Sequence, residues 1–188
     1  MEYDVYYVDG CEDPERFHTF LGILQILGDA FSLIDFKYRQ NEKTSETAKA
    51  VKKGLARYQV SSRKVSHWPL TETRDENHIY RMRTYRYSPL DINESFKILD
   101  VLETVGCLWD WDYPAYPMDL CFYRDGRVLF ASCAHERLNE LYLRHNGDTL
   151  SVMDLESIGL KLEFLRRVPE EALFRLPAED GSPSLPKN

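Results

Sequence analysis

The chain has 188 residues, 43% hydrophobic and 13% aromatic, and a formal net charge of −7. That length and apolar content suit one domain with a packed core, and the longest apolar stretch, residues 20–27, falls far short of the roughly 20 residues of a membrane helix. The acidic total argues against general binding to nucleic acid or to an anionic membrane.

Tyr3–Val8 is rich in β-branched and aromatic residues and predicts a strand that ends at Asp9-Gly10. Asp13 is placed to cap a helix with Pro14 at its first position. Phe17, Phe20, Leu21, Leu24 and Leu27 then recur at helical spacing up to Gly28. Phe31–Tyr38 predicts a second strand, so the chain opens β-α-β. After a polar loop at Arg39–Thr44, the residues Ala48, Val51, Leu55 and Tyr58 form one apolar stripe, with Lys49, Lys52, Lys53 and Arg57 elsewhere on the wheel. This basic amphipathic helix belongs to a basic middle region: residues 37–86 carry 13 Lys/Arg against 5 Asp/Glu, or +8, which leaves −15 for the remainder.

His78–Tyr87 has strand composition with Arg and Tyr on both faces, which predicts an edge strand with a working face. Asp91-Ile92-Asn93-Glu94 matches a capping box, and Ile92, Phe96, Leu99 and Leu102 supply the apolar stripe of a helix ending at Gly106. Met118–Tyr123 and Val128–Cys133 flank Arg124-Asp125-Gly126-Arg127, whose Asp-Gly pair suits a type I′ hairpin. Ala134–Leu143 fits either a helix or a third meander strand, with the strand preferred. Asn146-Gly147 predicts a turn, Leu150, Met153, Leu155 and Ile158 a short helix closed by Gly159, and Leu160–Phe164 a strand, giving a second β-α-β-like unit. The proline-punctuated segment 177–188 is expected to be disordered. The pattern predicts an α+β fold: a single domain over residues 1–176, with an antiparallel or mixed sheet and amphipathic helices packed on it.

The chain contains no Gly-x-Gly-x-x-Gly, Walker, His-Glu-x-x-His or Gly-x-Ser-x-Gly motif. Cys11, Cys107, Cys121 and Cys133 show no Cys-x-x-Cys spacing and are expected as free thiols. Ser132-Cys133-Ala134-His135-Glu136 is the best catalytic-looking cluster, since an imidazole beside a thiol can generate a nucleophile. The bland reading is a core cysteine followed by a solvated turn. Cys107, Cys121, Cys133, His135, Asp110 and Asp112 match no structural zinc spacing, so neither a metal nor a cofactor is expected. The basic 48–87 region, with Arg81, Arg83 and Tyr85, gives an RNA or single-strand reading, weakened by net charge and by the lack of an RNP-type motif.

Between these elements, Leu108–Pro117 holds two of the three tryptophans beside two carboxylates and two prolines. Prolines remove backbone donors and aspartates resist burial, so the segment reads as a loop whose rings are either tucked down or offered to a partner. Trp109, Asp110, Trp111, Asp112, Tyr113 and Tyr116 are the expected contact residues, with the acids selecting a protein that has a basic surface. The expected function is a non-enzymatic intracellular protein-binding module. In composition the chain resembles the immunity proteins, small acidic α+β proteins that neutralise toxins, a likeness that fixes no residue. Glu2 and Asp4 stand where a secretion signal carries basic residues, so the expected location is cytoplasmic.

Overall fold

The computed structural model describes residues 1–37, 45–72, 79–148 and 152–177. The predicted loop at 39–44 and all but the first residue of the predicted tail lie outside the described residues. In chain order the elements are β1 (Glu2–Asp9), α1 (Pro14–Leu27), β2 (Ala30–Lys37), α2 (Glu46–Leu55), β3 (Gln59–Val65), β4 (His67–Trp68), β5 (Thr71–Glu72), β6 (Ile79–Arg86), α3 (Ile92–Leu102), β7 (Met118–Arg124), β8 (Arg127–Cys133), β9 (Leu138–Arg144), α4 (Val152–Ser157) and β10 (Lys161–Pro169). Eight strands form one sheet in the order β10-β1-β9-β8-β7-β2-β6-β3, and every neighbouring pair is antiparallel. β4 and β5 form a separate small hairpin. The fold is therefore α+β with a fully antiparallel sheet.

Local chemistry sets the element ends. Asp13 caps α1 by accepting from the Arg16 N–H at 3.0 Å, with Pro14 next, and the Gly28 N–H closes the helix on the Leu24 carbonyl at 2.9 Å. Asp91 accepts from Asn93 and Glu94 at the start of α3. Asp125 and Gly126 both adopt positive φ, 53° and 72°, as a type I′ turn requires.

The sheet separates two apolar layers. On one face α1, α2 and α3 cover the larger core, which includes Phe17, Phe20, Leu24, Phe31, Tyr85, Leu102, Phe122 and Phe130. The other face is covered by short segments. Leu70 and residues 173–176 lie over Tyr3, Val5, Tyr123 and Tyr142, and β4–β5 brings Trp68 onto Ile34, Met82 and Met118.

Two expectations require correction. β6 is interior, with β2 on one side and β3 on the other; the edge belongs to β3, whose polar sequence Gln-Val-Ser-Ser-Arg-Lys-Val gives little apolar signal. On α3 the buried stripe is Ile98 and Leu102, continued by Val105, while Ile92 and Phe96 face outward at 66% and 61% exposure. The helix is apolar on more than one side, and its Ile98 side is the one that meets the sheet.

Candidate functional site

The Trp-Asp-Trp segment is folded back on the protein. Trp111 is fully buried and joins the larger core, with no hydrogen-bond partner for its Nε1–H among the described residues. Trp109 is half-buried against the same core. Tyr113 meets Phe36 edge-on with ring centroids 5.0 Å apart, and the Tyr116 hydroxyl donates to the Thr104 carbonyl at 3.4 Å. The Asp110 carboxylate accepts from the Cys107 N–H at 2.9 Å, and that of Asp112 from the Tyr113 N–H at 2.8 Å. Backbone bonds anchor the loop to β7, with Asp119 N–H donating to the Trp111 carbonyl at 3.2 Å. Trp111 thus has no surface to offer a partner, while Asp110 is exposed and Trp109, Asp112, Tyr113 and Tyr116 are partly exposed.

The basic strand is similarly occupied. Arg83 Nε donates to Asp35, which also receives Lys52 Nζ at 3.1 Å, and Arg83 Nη1 reaches Gln59 Oε1 at 2.8 Å. Arg81 donates to the Ser62 carbonyl at 3.2 Å. Tyr85 is buried and stacked on Phe31 at 4.8 Å, so its ring cannot receive a base.

Cys133 and His135 do meet: the sulfur lies 3.6 Å from Nδ1 and 3.8 Å from Nε2. They are joined by Asp119, a buried carboxylate at the start of β7 held at φ 53°. Asp119 was missed in the sequence because it sits inside an apolar strand; a single carboxylate in that run was the available signal. Burial, followed by the neighbouring Asp119 charge, pushes the Cys133 thiol up to about 11. A thiol so disposed is a poor nucleophile at neutral pH, which weighs against a cysteine-centred enzyme.

Among the described residues, an apolar surface lies between α1 and α3. Gly22, Gln25 and Ile26 from α1 face Ile92, Ser95, Phe96 and Leu99 from α3 across an apolar groove, with Pro89 at one end. The Gln25 side chain is buried in its floor and donates to the Ser95 carbonyl at 2.9 Å, tying the two helices together. A side chain at Gly22 would meet open space. Ile26, Ile92 and Phe96 are 72%, 66% and 61% exposed, an unusual cost for large apolar side chains clustered at one place. The sequence signal was present in α3, where Ile92, Phe96 and Leu99 form a second stripe beside Ile98 and Leu102.

Comparison with protein-family models, curated proteins and solved structures finds no match to this chain. Among the described residues no helix is long and apolar enough to cross a membrane.

Proposed function

We propose that this chain is a non-enzymatic protein-binding module that docks a partner in the groove between α1 and α3. The carrying observation is the cluster of exposed apolar side chains there: Ile26, Ile92 and Phe96. Charge favours the chemistry of the occupant. The groove belongs wholly to the part of the sequence that carries −15, and residues 88–103 hold Asp91, Glu94, Asp100 and Glu103 against Lys97 alone. An apolar anchor flanked by Lys or Arg complements such a rim. A second copy of the chain would set acids against acids across a two-fold axis, so the occupant is a different protein with a basic surface. The immunity-type reading is the special case in which that protein is a toxin. Four free cysteines fit a reducing, cytoplasmic setting.

The test is an NMR titration of the full chain with two synthetic amphipathic helical peptides that share Leu and Phe anchors and differ only in Lys or Glu flanks. The Lys-flanked peptide is expected to shift the amides of Gly22, Ile26, Ile92 and Phe96, with binding weakened by salt and abolished by Phe96→Asp in a variant that keeps its native circular dichroism. The reading fails if the peptide does not bind up to its solubility limit, if both peptides bind alike, or if sedimentation shows the groove closed by self-association.

A further inference from the structure

We propose that Asp119, Cys133 and His135 form a three-ligand site for a borderline-soft divalent cation of the Zn²⁺ type, with a fourth position open to solvent. The three residues come from the start of β7, the end of β8 and the turn that follows it. One ligand atom from each lies within 4.8 Å of the other two. Tetrahedral zinc with bonds of about 2.0–2.3 Å places its ligand atoms about 3.3–3.8 Å apart. The Cys133 to His135 distance of 3.6 Å already meets this. The His135 side chain is 42% exposed and free to complete the approach to Asp119.

The surroundings supply what an ion site needs. Trp68 Nε1 donates to Asp119 Oδ2 at 2.9 Å and the Ala134 N–H donates to Oδ1 at 3.0 Å, which leaves one lone pair on each oxygen for an ion. Thr71 Oγ1 donates to the Cys133 sulfur at 3.5 Å. Glu136 Oε1 stands 3.8 Å from His135 Nε2, the carboxylate partner expected when Nδ1 binds the metal. Two of these outer contacts come from β4–β5, so the hairpin holds two of the three ligands in place.

Ligand type selects the ion. One carboxylate, one sulfur and one imidazole cannot supply the six or more oxygens that Ca²⁺ or Mg²⁺ takes, but they match the N, S and O donors of zinc. A thiolate and a carboxylate neutralise a divalent charge in a largely buried place. On binding, the Cys133 S–H bond breaks, sulfur donates its pair to the cation and the proton passes to solvent. Three protein ligands with an open fourth position is the arrangement of a site that can bind a water or a partner's side chain, unlike the closed sites that serve only structure.

The experiment is calorimetric titration of the chelator-treated full chain with Zn²⁺, alongside Co²⁺ spectroscopy. The expected result is one Zn²⁺ per chain, a thiolate-to-cobalt band, and at least about a tenfold loss of affinity in His135→Ala. His135 is partly exposed, so this variant keeps the fold; Cys133→Ser then removes the cobalt band. The proposal is overturned if the chain takes up no zinc, if His135→Ala binds as tightly as the parent, or if cobalt binds without the thiolate band.

Discussion

Trp68 Nε1 donates a 2.9 Å hydrogen bond to Asp119 Oδ2, linking two residues 51 positions apart and pinning the β4–β5 hairpin to the sheet. Both residues are buried, so the bond has no competition from water. Trp68→Phe keeps an aromatic ring but strands one carboxylate lone pair, and we expect a loss of about 1.5–3 kcal/mol in urea denaturation with an unchanged m-value. The penalty depends on pH. Burial raises the Asp119 carboxyl from 3.8 to about 6, so the folded state holds this proton more tightly than the unfolded state. Asp119 therefore opposes folding increasingly as pH rises from 3.8 through about 6. In the presence of a chelator, the Trp68→Phe penalty should be larger at neutral pH than at pH 4; a pH-independent penalty would contradict the assignment.

Trp111→Ala should cost about 3–5 kcal/mol, because it empties a fully buried site in the core. Leu90→Ser, at a side chain 91% exposed, should stay within about 0.5 kcal/mol. Thermal denaturation of the two variants separates a ring that holds the loop down from a side chain that lies outside the core.

Two helical glycines predict opposite outcomes for the same substitution. A Cβ at Gly22 meets nothing within 4 Å, so Gly22→Ala should stabilise α1 by about 0.5–1 kcal/mol. At Gly54 in α2 the Cβ would fall 2.8 Å from Val101 Cγ2 on α3, on a stiff branched side chain. Gly54→Ala should therefore destabilise, and Val101→Ala should rescue it in a double-mutant cycle with a clear coupling energy.

Asp4 ties β1 to β10 and to the residue that follows β9: Oδ1 accepts from Arg167 Nε at 2.6 Å and Oδ2 lies 2.8 Å from His145 Nδ1. Burial raises the Asp4 carboxyl, but the bonds and charges of Arg167 and His145 outweigh it and hold the group below its ordinary 3.8. The stabilisation is complete above 3.8 and is lost as pH falls through the lower folded value. Asp4→Asn should flatten that part of the acid limb in urea denaturation between about pH 2 and pH 5, while a profile unchanged from the parent would show the pair to be inert.

What could be read from the sequence was local. Asp13-Pro14, the Asp91 cap and the Asp125-Gly126 turn each act within a few residues, and each forms as its chemistry predicts. Strand adjacency depends on contacts across the chain. The chain opens β-α-β, and that local order does not reveal that β9, β8 and β7 lie between β1 and β2. The Trp-Asp-Trp loop posed a choice between tucked and offered rings that composition could not decide; Trp111 is tucked into the core, while Trp109, Tyr113 and Tyr116 stay partly exposed. Asp119 was hidden, and Ile92 and Phe96 were read as facing the core, for the same reason. An apolar context reads as core until the partner element is known, and here one context buries a carboxylate while the other leaves two apolar side chains outside.

β1 is first in the chain but interior in the sheet, and both of its neighbours, β9 and β10, are made late: Tyr3 pairs with Arg144 and Glu2 with Pro169. A ribosome that has not reached residue 138 leaves both edges of β1 unpaired, with Val5 and Val8 ready for any strand that approaches. The hazardous state of this protein is its own nascent chain, and slow synthesis through residues 138–169 should raise its aggregation more than any single core substitution in the finished fold.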